Sequence, residues 1–367
     1  MTAGIEARIA LLPGDGVGPE VVAEAVRVLD AVAARWGHRW SYDEVAIGGA
    51  ALDAFGEPLR DEDIGRCRAA DALLLGAVGG PIWDGVEREK RPERGLLKIR
   101  KALGLFANLR PVSVLPSLVD ASPLKPELLQ GVDLLVVREL TGGIYFGRPS
   151  RQWREWRGRV AVDTLVYREH EIRRVVRLAF ELAEGRNGRL ASVDKPNVLQ
   201  SSRLWRAIVE EVAEEFPAVI WEHVLIDAMA MHLIRWPARY DVVVTENMFG
   251  DILTDEASVV AGSIGLLPSA SLGPVGVRGR PLGLYEPIHG SAPDIAGADV
   301  ANPAGAILSA AMLLRLSLAL DDEARAVETA VAAIVSDGVR TADISAGGPS
   351  VGTREFGAAV ATRVAQM

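Results

Sequence analysis

The sequence predicts an α/β fold in which helices cover a mainly parallel sheet. Three observations carry this. Short apolar runs alternate along the chain with segments whose apolar residues fall at helical spacing. A Gly-rich turn joins the first such run to the first such segment, a β-turn-α unit. The same strand-then-helix order returns late in the chain, where 241–245 (DVVVT) runs into an aspartate-bearing stretch.

The elements follow in order. ARIALL at 7–12 is a strand, GDGVGPE at 14–20 the turn, and 20–35 the first helix. ALLLG at 72–76 and VDLLVV at 132–137 read as buried strands. A helix over 170–183 precedes a strand at 189–193, and a helix over 204–215 precedes a strand at 218–224. Further helices are expected at 304–320 and 323–334. The Arg- and Trp-rich segment 146–160 has neither period and reads as a projecting loop or hairpin at a subunit contact. No internal repeat or low-complexity tract interrupts the pattern.

Composition narrows the class. With 367 residues, 49 % of them hydrophobic, the chain is long enough for two domains and is not a disordered protein. A net charge of −9 without a basic run argues against nucleic acid as a partner. The lone cysteine, Cys67, excludes an internal disulfide and reads as a small buried hydrophobe. The most apolar stretch, 304–320, is broken by Arg315 and reads as a core helix, not a membrane span. Residues 1–6 are short and polar, without signal-peptide character. The expectation is a soluble cytoplasmic protein.

The chemistry is concentrated in a few motifs. Asp251 and Asp255, in NMFGDILTD at 247–255, are four apart and project from one helix face. Such hard oxygen donors suit Mg²⁺ or Mn²⁺. A third carboxylate, Asp227, opens DAMAMH at 227–232. Lys195 lies in VDKPNVL at 193–199, and Tyr145 in ELTGGIYFG at 139–147. A divalent metal beside a lysine and a phenol suits oxidation of a hydroxy acid followed by decarboxylation, with proton transfers by Lys195 and Tyr145. Arg100, Arg110 and Arg138 could hold a dicarboxylate through bidentate contacts. An isolated arginine is usually a solvated surface group, but Arg110 and Arg138 each follow or end an apolar run. EPIHGSAPDIAG at 286–297 is a structured loop able to cradle an anion. Its Asp294 suits a ribose hydroxyl, and equally an ordinary Asx-turn. GDGVGPE has the wrong glycine spacing for a dinucleotide phosphate loop, so a tight turn with close backbone packing is the better reading.

Together these stretches resemble the β-decarboxylating dehydrogenases of the isocitrate/isopropylmalate dehydrogenase family. The resemblance is carried by LPGDGVGPE (12–20), GAVGGPIWD (76–84), FANLRP (106–111), VRELTGGIYFG (137–147), DAMAM (227–231), FGDILTD (249–255) and HGSAPDIAG (289–297). It implies a two-domain, non-Rossmann fold. One domain is expected from 1–105 and 262–367, the other from 106–261, with the dimer contact and a projecting arm over about 140–166. It implies a homodimer with a shared active site, Lys195 and Asp227 joining Tyr145, Asp251 and Asp255 of the other subunit. Asp227, Asp251 and Asp255 are the implied metal ligands. NAD is implied along 289–302, contacting His289, Gly290, Ser291, Ala292, Pro293, Asp294, Ile295 and Asn302, with Val78, Gly79, Glu93 and Asn197 completing its site. Arg100, Arg110, Arg138 and Asp227 are the implied substrate contacts. Leu96 and Leu97 stand where isocitrate-using members carry Ser and Asn, which favours an isopropyl group over a third carboxylate. The implied reaction is NAD-dependent oxidative decarboxylation of 3-isopropylmalate in leucine biosynthesis, with D-malate, tartrate or another 3-alkylmalate as the alternative substrate. Two positions depart from the family pattern: Pro196 follows Lys195 where Ala is usual, and Arg94 precedes Gly95 where a small polar residue is usual.

Overall fold

The computed structural model describes residues 4–275 and 279–367. Residues 1–3, part of the N-terminal stretch read above, lie outside it. In chain order the elements are β1 (Glu6–Gly14), α1 (Gly18–Trp36), β2 (Arg39–Glu44), α2 (Gly49–Phe55), α3 (Asp61–Arg68), β3 (Ala72–Ala77) and α4 (Glu93–Ala102). There follow β4 (Ala107–Ser113), α5 (Pro126–Leu129), β5 (Asp133–Glu139), β6 (Arg151–Glu155), β7 (Gly158–Val162), α6 (Glu169–Glu184), β8 (Arg189–Asp194), α7 (Gln200–Ala213), β9 (Ile220–Leu225), α8 (Ile226–Arg235), β10 (Val242–Thr245) and α9 (Asn247–Val260). The chain closes with β11 (Pro268–Val275), β12 (Pro281–Pro287), α10 (Ala304–Leu316), α11 (Asp321–Ser336) and α12 (Thr353–Gln366).

The chain divides into two compact units. The first holds Met1–Leu105, Leu115–Ser122 and Ala261–Met367; the second holds Phe106–Val114 and Pro123–Val260. The short stretch Leu115–Ser122, assigned to the middle of the chain by the sequence, groups with the first unit. There Arg340 donates to the Ser117 carbonyl at 2.8 Å.

In the first unit the strands run β2-β1-β3-β12-β11. All neighbours are parallel except β11 with β12. Alternate residues face opposite sides. Ala10 and Leu12 of β1 lie level with Leu73 and Leu75 of β3. These four join Ile64 and Cys67 of α3, Ile99 of α4, and Leu284 of β12 in one buried cluster. Cys67 is therefore a core residue, its thiol pKa pushed up to about 12 by burial. Across the sheet, α10 packs on β11, β12 and β3, and against α1 and α11, with α12 against α1. Almost every side chain of α10 before Arg315 is buried, which explains its largely apolar sequence. The helix ends at Leu316, not Leu320: Ala319 has φ 59°, and the Ser317 hydroxyl donates to the Pro281 carbonyl at 2.9 Å.

In the second unit the order is β4-β5-β10-β8-β9. β4 is antiparallel to β5 and the rest are parallel. Helices α6 and α7 pack as one pair and α8 and α9 as another, each against these strands. The segment read as a loop or hairpin is a hairpin, β6 paired antiparallel with β7. Its Trp156 is 86 % exposed. Among the described residues no helix is long and apolar enough to cross a membrane.

Candidate active site

Parallel strands deliver the chemistry-bearing residues to one edge. In the second unit Arg138 of β5, Thr245 of β10, Val193 of β8 and Val224 of β9 lie level. The chain leaves each strand just beyond this row. Glu139 begins the stretch to Tyr145, Glu246 leads into α9, Asp194 precedes Lys195, and Leu225 precedes Asp227. The carboxyl ends of parallel strands are where open α/β sheets place ligand sites.

Arg138 is the buried centre of one cluster. Its Nε and Nη2 both donate to Asn247 Oδ1, at 3.1 and 2.8 Å, and its Nη1 donates to Asp251 at 2.5 Å. Asn247 is held in turn, donating to the Gly142 carbonyl at 3.2 Å, while its backbone N–H donates to the Tyr167 hydroxyl at 2.9 Å. The second Asp251 oxygen accepts from the Tyr145 hydroxyl at 2.8 Å. Partial burial, with Asp251 adding to it, pushes the Tyr145 pKa up to about 12. The phenol thus keeps its proton near neutral pH. One helical turn on, Asp255 stands 3.5 Å from Arg110. Arg110 also donates to Thr254 at 2.6 Å and Asn108 at 2.9 Å.

A separate pair lies at β8 and β9. Lys195 Nζ donates to Asp227 at 2.5 Å, and this hydrogen bond holds the Asp227 carboxyl below its usual range. Pro196 is accommodated because Lys195 stands just past the end of β8. Its backbone N–H donates to Ser202 Oγ at 3.0 Å. Asn197 follows, exposed.

The oxygen donors fit a hard cation. Asp251 and Asp255 keep 39 % and 73 % of their side chains exposed, so lone pairs remain free on one helix face. Among the described residues no group of three His, Cys, Asp or Glu side chains could hold a metal within one chain.

In the first unit, neighbouring β1, β3 and β12 end in the Gly-rich turn, the segment at Val78 and Gly79, and the loop 288–302. These come together. Val17 N–H donates to the Ser291 carbonyl at 2.8 Å. A Cβ on Gly16, whose φ is 59°, would lie 1.9 Å from that carbonyl, so only glycine fits. One on Gly79 would lie 2.7 Å from Glu93 Oε1. His289 Nδ1 donates to the Gly290 carbonyl at 2.8 Å, which leaves Nε2 a buried acceptor without a partner. Burial lowers the imidazole pKa. An unpaired buried acceptor, an open Gly290 and an exposed Asp294 together suit a nucleotide ligand. Pro293 is exposed, and Ala292 and Ile295 are half-buried. Asn302 is buried and spoken for, donating to Asp343 and accepting from Ala304 N–H, each at 3.0 Å. Arg100 is also in this unit, paired with Glu286 at 2.5 Å. Leu96 packs on the core cluster and Leu97 is half-buried.

The structure thus joins Tyr145, Asp251, Asp255, Arg110 and Arg138 in one cluster, Lys195 with Asp227 in another, and the 289–295 loop near Val78, Gly79 and Glu93. The sequence reading missed Asn247 as the acceptor that aims Arg138, although it begins the aspartate motif. It also missed Asp15, whose carboxylate is buried in the Gly-rich turn.

Fold and site define a class: an α/β enzyme with a phenol and an amine each bonded to a carboxylate beyond the carboxyl ends of parallel strands. Comparison with known proteins gives the family. Residues 8–360 match the family described as Isocitrate/isopropylmalate dehydrogenase. The chain is 58 % identical to the 3-isopropylmalate dehydrogenase of Anaeromyxobacter dehalogenans, over 98 % of this chain and 100 % of that protein. It is 58 % identical to that of Bacillus subtilis over 92 % of each. Among solved structures it resembles isocitrate dehydrogenase from Methylococcus capsulatus, with TM-score 0.85 and 32 % identity over 98 % of this chain and 100 % of that one. It also resembles an apo β-decarboxylating dehydrogenase from Thermococcus kodakarensis, with TM-score 0.78 and 36 % identity over 98 % and 96 %. The chain belongs to the isocitrate/isopropylmalate dehydrogenase family.

Proposed function

We propose that the chain catalyses NAD-dependent oxidative decarboxylation of (2R,3S)-3-isopropylmalate to 4-methyl-2-oxopentanoate and CO₂, a step of leucine biosynthesis. The substrate reading rests on the near-full-length identity to relatives named for it. The observation that carries the chemistry is the placement of a phenol and an amine on separate carboxylates, Tyr145 on Asp251 and Lys195 on Asp227.

Arg110 and Arg138 bind substrate carboxylate. Arg100 is assigned the same task by resemblance, and Leu96 and Leu97 the isopropyl group. Lys195, as the free amine, takes the hydroxyl proton, and Asp227 holds the ammonium that results. Tyr145 protonates the enol carbon after CO₂ leaves. Asp251, Asp255 and, from the other subunit of a homodimer, Asp227 would hold the divalent metal. Bound Mg²⁺ or Mn²⁺ would supply neutralisation of charge on the substrate's C2 oxygen, and bound NAD acceptance of the C2 hydride. The NAD site would be formed by Val78, Gly79, Glu93, Asn197, residues 289–295 and Asn302. Asp294 favours NAD over NADP, because a 2′-phosphate would face its carboxylate. The enzyme is proposed to work in the cytoplasm.

A four-carbon acid such as D-malate or tartrate is the second reading, and the apolar Leu96 and Leu97 weigh against it. One methylene of misfit costs only about 1–3 kcal/mol, so neighbouring 3-alkylmalates should react more slowly but measurably. The test is a panel of 3-isopropylmalate, D-malate, tartrate, isocitrate and homoisocitrate with NAD and Mg²⁺, following NADH. The expected result is highest kcat/KM for 3-isopropylmalate. A higher value for D-malate or isocitrate would refute the reading.

A further inference from the structure

The Gly-rich turn takes no part in the reaction as proposed, yet it holds a buried carboxylate. Asp15 is 4 % exposed. It has no ion-pair partner among the described residues; its bonds are all to backbone. One oxygen accepts from Gly49 N–H at 2.8 Å and from Gly79 N–H at 2.7 Å, and the other from Ala50 N–H at 2.8 Å. A buried carboxylate is a costly way to close a turn. What distinguishes it is that it gathers three chain segments at once: the turn itself, the start of α2, and the loop after β3. In that last loop Val78 packs on the core cluster, while Gly79, with φ 110°, has no side chain and is held through its N–H by Asp15. The same turn also grips the loop after β12 at two points. Val17 N–H bonds the Ser291 carbonyl at 2.8 Å, and the Glu20 carboxylate accepts from Gly297 N–H.

The structure assigns Asp15 as a positioning residue for the cofactor: it fixes the Val78–Gly79 segment against the turn, while Val17 and Glu20 fix 291–297 against the same turn. The three N–H donors partly offset the burial that pushes the Asp15 carboxyl above its ordinary range, because charge-assisted bonds from backbone amides stand in for some of its lost hydration. The inference rests on the cofactor reading above and adds the element that holds that site in shape.

The test separates cofactor from substrate. NADH binding is followed by fluorescence titration, with steady-state kinetics in NAD and in 3-isopropylmalate. Asp15→Ala frees all three N–H groups and is expected to raise Kd for NADH and KM for NAD about ten-fold or more. KM for 3-isopropylmalate should move by no more than about two-fold, within the ordinary scatter of non-contacting positions. Asp15→Asn can keep its carbonyl oxygen on Gly49 and Gly79 and lose only Ala50, so NADH affinity should return to within about three-fold of the unmodified enzyme. Glu20→Ala, at a half-buried side chain, should show the same NAD-only split, and it decides the matter if Asp15→Ala does not fold. A merely structural role would lower the folded fraction and Tm without splitting the two KM values. Unchanged NADH affinity in the folded variants, or a loss shared equally by both substrates, overturns the inference. If the unmodified chain does not bind NADH, the cofactor reading falls, and the inference falls with it.

Discussion

His223 on β9 has both ring nitrogens buried without a hydrogen-bond partner. The Glu210 and Asp194 carboxylates stand 3.6 and 3.8 Å away, beyond hydrogen-bond reach. Arg206 already bonds both Asp194 oxygens, at 2.6 and 3.0 Å. Burial, the largest influence, lowers the imidazole pKa from its ordinary 6.5, and Arg206 adds to this, while Asp194 and Glu210 oppose it. The sign follows directly. As pH falls through 6.5 the unfolded chain takes up a proton that the folded chain resists. The stability is present above that pH and is lost as pH falls toward the lower folded value. Tm measured from pH 7 to pH 5 is expected to drop more steeply in the unmodified protein than in His223→Gln. Equal slopes would show that this imidazole is not held neutral by burial.

At the scale of elements, α9 shows how tightly the site is packed. Gly250 lies inside this helix, where alanine would ordinarily be worth about 1 kcal/mol of extra stability. Here a Cβ would lie 2.6 Å from Arg138 Cγ and 2.8 Å from its Cβ. Gly250→Ala should therefore push Arg138 off Asn247 and Asp251, lowering kcat/KM for 3-isopropylmalate about ten-fold or more, since small displacements in a site are expensive. Unchanged kcat/KM with a higher Tm would refute that close approach. The aspartate motif told the helix and its acidic face, because i and i+4 spacing is local. It could not tell that Arg138, on β5, completes the group, because that needs the parallel register of β5 with β10. The same limit hid other elements. β1, β3, β5 and β10 were legible as runs rich in large aliphatics, since both of their faces are covered. β11 was not. Its first six residues are buried, yet Leu272 is the one large aliphatic among Ser, Ala, Gly and Pro there, which gives little apolar signal. β12 is bounded by Pro281 and Pro287, which punctuate the sequence like a loop. α10 was read four residues too long because the apolar run continues after the helix has turned at Ala319.

At the scale of the molecule, one chain holds two half-sites: Tyr145 on Asp251, and Lys195 on Asp227. The proposed shared active site makes a prediction that no single-chain site makes. Asp227→Ala and Tyr145→Phe chains, each nearly inactive alone, should regain activity when mixed and refolded. One of the two sites in each heterodimer would then carry Tyr145 and Asp251 from one chain with Lys195 and Asp227 from the other. Verified heterodimers without activity would refute the sharing. The division into units carries a different consequence, for the order in which the chain is made. Domains fold as units while synthesis proceeds from the N-terminus. The second unit is nearly continuous, whereas β3 of the first pairs with β12, Leu73 beside Leu284. α1 likewise rests on α12, the last helix of the chain. On the ribosome, the parts of β3 and α1 that meet β12, α10 and α12 must therefore wait, uncovered, until those late elements have emerged. The first unit is thus begun before the second and completed after it, with part of its apolar surface uncovered in the interval.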